Sequence, residues 1–252
     1  MTYCISDIHG CYTAFMTLLE QIHFDPEKDT LYVLGDVIDR GDKSLECLRF
    51  VMRTKSVHLL IGNHERMMLD FYDGTDDSWD LNGNEEIKKQ INGLPENERE
   101  KLFSWLRKRP YYKTVGIDDK RYFLSHAGLT VGVPFRHQDP ESLVWSREEF
   151  FEHPALERYT CIFGHTPTPM IRNNPDYSAW FDEKYRDKVC IDCGCVYGGA
   201  LCVIRLDDGA VFYEMATPML NIPEMSGEEK DEEAALPYQA AVSEMPLQAG
   251  AC

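Results

Sequence analysis

Three short apolar runs open the chain, Tyr3–Ile5, Leu31–Leu34 and Val57–Ile61, each bounded by polar residues or glycine. Rich in aliphatic and β-branched side chains, they predict buried strands. Between them the spacing turns helical. Thr13–Ile22 puts Phe15, Leu18, Leu19 and Ile22 on one face, and Ser44–Arg53 does the same with Leu45, Leu48 and Val51 or Met52. Strands and helices alternating at these lengths predict βαβ units, a parallel sheet and an α/β fold class. A helix is expected from about Leu94 to Lys108, with Leu102, Phe103 and Leu106 turned inward. Further strands are expected at Tyr122–Ser125, Thr160–Gly164, Val189–Asp192 and Ala200–Leu206, and Asp208-Gly209 marks a hairpin turn into Val211–Met215. The second half therefore leans towards β-structure.

Composition narrows the function. The 252 residues are 43% hydrophobic and 27% charged, as expected of a globular chain able to bury one sizeable core. No apolar run approaches the roughly 20 residues that span a bilayer, and Asp7 arrives with no basic segment before it, against a standard signal peptide. A soluble cytoplasmic protein without a membrane partner is the expectation. The net charge of −17 opposes nucleic-acid binding, and Arg107-Lys108-Arg109, the densest basic run, reads as a solvated helix end. From Glu224 to Cys252 seven acids face one lysine with no periodicity, so residues 1–223 are expected to form the domain and 224–252 a disordered acidic tail. Nine scattered cysteines predict free thiols rather than a disulfide framework, and Cys190, Cys193 and Cys195 lack a partner pair at zinc-site spacing.

The informative residues follow the strands. Tyr3–Ser6 runs into Asp7-Ile8-His9-Gly10, Leu31–Leu34 into Gly35-Asp36-Val37-Ile38-Asp39-Arg40-Gly41, and Val57–Ile61 into Gly62-Asn63-His64-Glu65. Later strands run into His126-Ala127-Gly128 and Gly164-His165-Thr166. Any one such His or Asp is more often a hydrogen-bonded cap than a ligand. Five in order are a different matter, because the carboxyl ends of strands are where open α/β sheets bind ligands. They would gather Asp7, His9, Asp36, Asn63, His126 and His165 at one edge. Three imidazoles, two carboxylates and an amide, without thiolate, suit Mn, Fe, Zn or Co. Six donors are comfortable for two ions sharing a carboxylate about 3.5–4 Å apart.

These five motifs together resemble the signature of the calcineurin-like metallophosphoesterases, more narrowly the phosphoprotein phosphatase branch in its small bacterial and phage form. The resemblance spans about residues 3 to 215. It implies an αββα sandwich, two packed mixed sheets flanked by helices, with two divalent metals, manganese foremost, between the loops. It assigns Asp7, His9 and Asp36 to the first metal and Asp36, Asn63, His126 and His165 to the second. His64 becomes the general acid, Asp39 its orienting partner, and Arg40 and Arg147 the phosphate grips. Two residues are ambiguous on their own: Arg147, beside Glu148 and Glu149, could equally be a surface helix residue, and Tyr197 a packed aromatic. Two positions depart from the family pattern. Ser6 stands where glycine is common, and Asn82-Gly83-Asn84 replaces a Gly-Gly pair in the substrate-facing insert, Asp73 to Glu98.

The implied reaction is hydrolysis of phosphoserine or phosphothreonine in proteins by metal-bound hydroxide, with phosphotyrosine as a further candidate substrate. A phosphoprotein or phosphopeptide is then the expected partner. Asp76, Asp77 and Asp80 near Trp79 could favour basic peptides, or could simply form a solvated loop. The alternative is a dinucleoside polyphosphate or nucleotide hydrolase on the same scaffold, whose members resemble this chain less where it keeps Asp39-Arg40-Gly41. A metal-bound interaction module is disfavoured because no ligand position is missing and His64 is in place.

Overall fold

The computed structural model describes residues 1–216, so the proposed tail and the 217–223 end of the expected domain lie outside the described residues. The strands form two sheets. The first contains β1 (Thr2–Ile5), β2 (Thr30–Val33), β3 (Val57–Leu59), β9 (Ala200–Arg205) and β10 (Val211–Met215), in the order β10-β9-β1-β2-β3. The second contains β4 (Tyr112–Ile117), β5 (Lys120–Ser125), β6 (Thr160–Phe163), β7 (Trp180–Phe181) and β8 (Lys188–Cys190), in the order β4-β5-β6-β8-β7. Both are mixed rather than purely parallel. The middle strands run parallel, β1-β2-β3 and β5-β6-β8, while β9, β10, β4 and β7 add antiparallel edges.

Side-chain alternation shows how the sheets stack. In β1, Tyr3 and Ile5 join the cluster containing Phe15, Leu18, Leu48 and Val51, from helices α1 (Tyr12–Gln21) and α2 (Ser44–Arg53). Cys4, between them, points into a second cluster with Leu124, Ile162 and Ile204. In β5 and β6, Phe123, Cys161 and Phe163 turn the other way, towards Leu143 and Phe150 of the short helices α6 (Pro140–Trp145) and α7 (Glu148–Glu152). The layers are therefore helix, sheet, sheet, helix: the expected αββα sandwich. Strands buried on both faces explain the unbroken apolar runs in the sequence. The eight described cysteines are free thiols, as expected.

On the same side as α1 and α2, α3 (Asn63–Asp73) is closed by Gly74 in the left-handed conformation at φ 71°. A 3-10 turn at Ser78–Leu81, then α4 (Glu85–Asn92) and α5 (Glu96–Leu106), complete the segment read as a substrate-facing insert. Much of it faces inward instead. Trp79 is fully buried against Phe71 and Tyr72, and Ile87 and Ile91 are buried with it. Asp76, Asp77 and Asp80 are exposed, Asp80 being paired with Lys88. A short helix α8 (Thr168–Arg172) follows β6.

One charged residue is structural. The Lys188 ammonium is fully buried and donates to Asp187 Oδ1 at 2.7 Å, to the His153 carbonyl at 2.9 Å and to Asp182 Oδ2 at 3.0 Å. Its three N–H donors are thus all satisfied. Burial opposes charge on Asp182, but Lys188 and the Tyr185 N–H hold its carboxyl below the ordinary range. Lys188→Met should destabilise the protein by about 3–5 kcal/mol in urea unfolding, because it strands a carboxylate. A depressed folded pKa contributes stability above the unfolded value, near 3.8, and loses it as pH falls through the folded value. The gap between wild type and variant should therefore narrow in acid.

Candidate metal centre

Where β1, β2, β3, β5 and β6 end, the backbone turns sharply and brings five loops together. His9 N–H donates to the Asp36 carbonyl at 2.9 Å, Gly10 N–H to Val37 at 2.9 Å, and Gly164 N–H to His126 at 2.7 Å. Asp7, His9, Asp36, Asp39, Arg40 and His165 all adopt positive φ, between 43° and 70°. Such conformations cost about 1–3 kcal/mol each and concentrate where side chains must be aimed. Two glycines are dictated by the side chains they admit. A Cβ at Gly62 would lie 2.1 Å from Asp36 Oδ1, and one at Gly164 2.1 Å from Asp7 Oδ2.

Asp36 is the hub. Its Oδ2 lies 3.3 Å from His126 Nε2, 3.7 Å from His9 Nε2 and 3.8 Å from His64 Nε2. Its Oδ1 accepts the His64 backbone N–H at 3.1 Å, at the start of α3. Burial works against its charge, but His126, His64 and His9 hold its carboxyl well below the usual range. Two groups of potential ligand atoms, each within 4.8 Å, share it: His9, Asp36 and His64, and Asp36, His126 and His165. The loop is pinned by Glu65, fully buried, whose Oε2 accepts Asp36 N–H at 2.9 Å and Gly62 N–H at 3.0 Å while Oε1 accepts Val37 N–H at 2.8 Å. Burial and the neighbouring Asp36 charge push the Glu65 carboxyl up to about 7, against those three donors.

The imidazoles are presented as ligands are. His9 Nδ1 lies 2.8 Å from the Ile38 carbonyl and His126 Nδ1 2.8 Å from that of Leu34. A carbonyl only accepts, so each Nδ1 carries a proton and each Nε2 is turned towards Asp36. Burial, with Arg40 and His64 nearby, keeps His9 uncharged well below the ordinary range. His165 is held down similarly by burial, His126 and Arg147, and its Nε2 is buried without a hydrogen-bond partner. His126 shows the opposite pull: burial opposes its charge, yet Asp36 and Asp7 push it up to about 9. Asn63 Oδ1 completes this side, 2.8 Å from His126 Nε2 and 3.1 Å from His165 Nδ1. A nitrogen and oxygen donor set, with an orphaned imidazole nitrogen and a buried anionic hub, fits divalent cations.

The remaining expected residues surround this hub. Asp7 is buried beside the two groups rather than within one. Its Oδ2 accepts the His165 N–H at 3.0 Å and the Ser6 hydroxyl, and burial pushes its carboxyl up to about 6. His64 Nδ1 lies 2.6 Å from Asp39 Oδ2. Arg40 Nη1 lies 3.2 Å from His9 Nε2, with the guanidinium over the Tyr197 ring at 5.2 Å. Arg147 reaches the same edge, its Nη1 donating to Thr166 Oγ1 at 3.2 Å, and Trp145 meets His165 edge to face at 5.4 Å. All ten expected site residues thus converge. The cysteines of the rejected zinc reading are buried, and no thiol joins a metal-holding group among the described residues.

Three participants were not singled out from sequence. Glu65 has a signal, lying three residues beyond Gly62 at capping-box spacing. Asp192, whose carboxyl burial and Asp7 push well above the usual range, looks like an ordinary strand end. Trp79, whose Nε1–H donates to Asp39 Oδ2 at 2.8 Å, has no local signal at all.

Fold and hub together define a metal-binding phosphoesterase. The family model for calcineurin-like phosphoesterases matches residues 2–201, and the chain belongs to that family. A symmetrical bis(5'-nucleosyl)-tetraphosphatase from Erwinia tasmaniensis is 38% identical over 273 residues, covering 84% of this chain and 96% of its own. Serine/threonine-protein phosphatase 2 from Salmonella typhimurium is 32% identical over 216 residues, covering 81% of this chain and 92% of its own. A crystal structure provisionally named a diadenosine tetraphosphatase shares the fold, with a TM-score of 0.65 at 19% identity over 86% of this chain and 93% of its own. The protein is thus similar to hydrolases of both expected kinds, and the higher identity falls on the alternative one. Among the described residues no helix is long and apolar enough to cross a membrane.

Because Asp36 belongs to both groups, Asp36→Asn should weaken Mn²⁺ binding to metal-stripped protein by more than about 100-fold, the upper range for losing an outer-shell partner alone. Isothermal titration calorimetry reads this directly. Unchanged affinity in a folded variant would remove Asp36 from the centre.

Proposed function

We propose that the protein is a cytoplasmic two-metal hydrolase of dinucleoside tetraphosphates, cleaving them into two nucleoside diphosphates. The observation that supports phosphorus–oxygen hydrolysis is the sharing of Asp36 by two ligand groups with Arg40 and Arg147 at the rim. The substrate class rests on the Erwinia relative, aligned over almost its whole length. Asp7, His9 and Asp36 would hold one ion and Asp36, Asn63, His126 and His165 the other, manganese being the first choice for this donor set. Bound divalent ions supply Lewis acidity, polarising phosphoryl oxygens and lowering the pKa of water.

The chain's own residues do the rest. Arg40 and Arg147 carry guanidinium forks whose geometry matches phosphoryl oxygens, and they offset the repulsion between a polyphosphate and a chain of net charge −17. His64 holds a proton at Nδ1 against Asp39, which orients the ring so that Nε2 faces Asp36 and the reacting centre. From there it can protonate a departing oxygen.

A second reading, hydrolysis of phosphoserine and phosphothreonine, is favoured by that same pair. A nucleoside diphosphate leaves readily as an anion, whereas a serine alkoxide needs a proton. The Salmonella relative carries a name of this kind. In the acidic insert that could favour basic peptides, Asp76 and Asp77 are exposed, Asp80 is paired with Lys88 and Trp79 turns inward.

Metal-depleted protein, reconstituted with Mn²⁺, should be assayed on diadenosine tetraphosphate and on a phosphoserine peptide. Turnover of the tetraphosphate to two ADP, with kcat/KM at least about tenfold higher, a transition-state preference near 1.4 kcal/mol, supports the proposal. The reverse order establishes the second reading. His64→Ala should cost about 10²–10⁴-fold on the peptide, the usual yield of a positioned acid.

A further inference from the structure

We propose that Trp79 is a positioning residue for His64: its indole N–H holds the Asp39 carboxylate that orients the imidazole. This rests on His64 being the proton donor. Asp39 is fully buried, and its Oδ2 is shared by two donors, His64 Nδ1 at 2.6 Å and Trp79 Nε1 at 2.8 Å. Its other oxygen, Oδ1, is buried with no hydrogen-bond partner. The orientation of this carboxylate therefore depends on two N–H groups, and only one belongs to the pair it serves. Burial, with the Asp36 charge, pushes the Asp39 carboxyl up, and the His64 and Trp79 donors each pull the other way.

A buried indole needs an acceptor somewhere, and a backbone carbonyl would satisfy it. Here the acceptor is the oxygen that already faces the histidine. Trp79 is held firmly enough to transmit this constraint. Its ring packs against Phe71 at 5.5 Å and Tyr72 at 5.8 Å between centroids, and its carbonyl accepts Asn84 Nδ2 at 2.8 Å. Four residues on, the Gly83 carbonyl accepts the Arg40 N–H at 2.6 Å. Asp39 and Arg40 are consecutive residues at φ 70° and 66°, a pair that persists only where the surroundings over-determine it. The segment from Trp79 to Gly83 supplies one hydrogen bond to each. It thus braces the turn that carries both the orienting carboxylate and a phosphate-binding guanidinium.

The His64 Nδ1–H should appear as a far-downfield proton resonance, identified by its loss in His64→Ala. Trp79→Phe, and separately benzothienylalanine at position 79, which keeps the shape but replaces N–H by sulfur, should shift it. Its exchange with water should also speed up by at least about tenfold, as local order is lost. Turnover of phenyl phosphate, a poor leaving group, should fall about tenfold further than that of p-nitrophenyl phosphate, as a weakened acid requires. A role confined to packing would move neither the resonance in the sulfur isostere nor the ratio of the two substrates. An unchanged resonance in either folded variant, or none in the wild type, overturns the assignment. If His64→Ala itself leaves turnover of phenyl phosphate unchanged, the proton-donor reading fails, and the catalytic meaning of Trp79 with it.

Discussion

A carboxylate buried away from water must find its positive charge and its hydrogen bonds inside the protein, and Asp36 sets that requirement for the whole site. Three imidazole nitrogens from three separate loops lie 3.3–3.8 Å from it, and His126 foremost holds its carboxyl well below the usual range against burial. Its other oxygen takes the His64 N–H at the start of α3, where the helix dipole and unpaired N–H groups favour an anion. The five strand ends are therefore tied by one charge. Moving any of them unbalances it.

The sandwich makes this arrangement affordable in conformational terms. Rigid parallel strands deliver each loop to the same edge, and six positive-φ residues there absorb the turns. Strain of this kind survives only with many restraints. Glu65 is the main one, a buried carboxylate that takes three backbone N–H groups from two different loops. Its position in the first turn of α3 means that the helix carrying Asn63 and His64 also locks the loop carrying Asp36. The candidate ligand Asn63 and the restraint on the Asp36 loop are thus built from one helix start.

Much of this was legible in sequence because the site sits where hydrophobic pattern and chemistry meet. An apolar run followed by glycine and a donor is a local signal, and five of them locate the edge. The strand bounds were less sharp: the Val57–Ile61 run outlasts β3, which ends at Leu59, because Leu60 and Ile61 stay buried as the chain turns into α3. The β4 edge strand, Tyr112–Ile117, escaped because its exposed Lys113 and Gly116 break the apolar pattern, as edge strands tend to do. Trp79 was illegible for a different reason. Its meaning lies in a contact across 40 residues with Asp39, and the flanking acids suggested a solvated loop. Long-range hydrogen bonds between unlike side chains leave no period to read.

Two lines of reasoning about substrate pull apart at His64. The proposed substrate is a polyphosphate, whose leaving group scarcely needs a proton. Yet the structure keeps a buried Asp39–His64 pair, sets Asp39 in a strained turn with Arg40 and braces it with an indole. Such an acid is most useful when the departing oxygen is basic. For an anhydride the same imidazole, if cationic, would act mainly through charge, stabilising negative charge at the bridging oxygen as Arg40 and Arg147 would at the periphery. Proton donation depends steeply on leaving-group basicity and charge stabilisation does not. The chemistry of the leaving group, more than the shape of the pocket, thus separates the two functions this scaffold can carry.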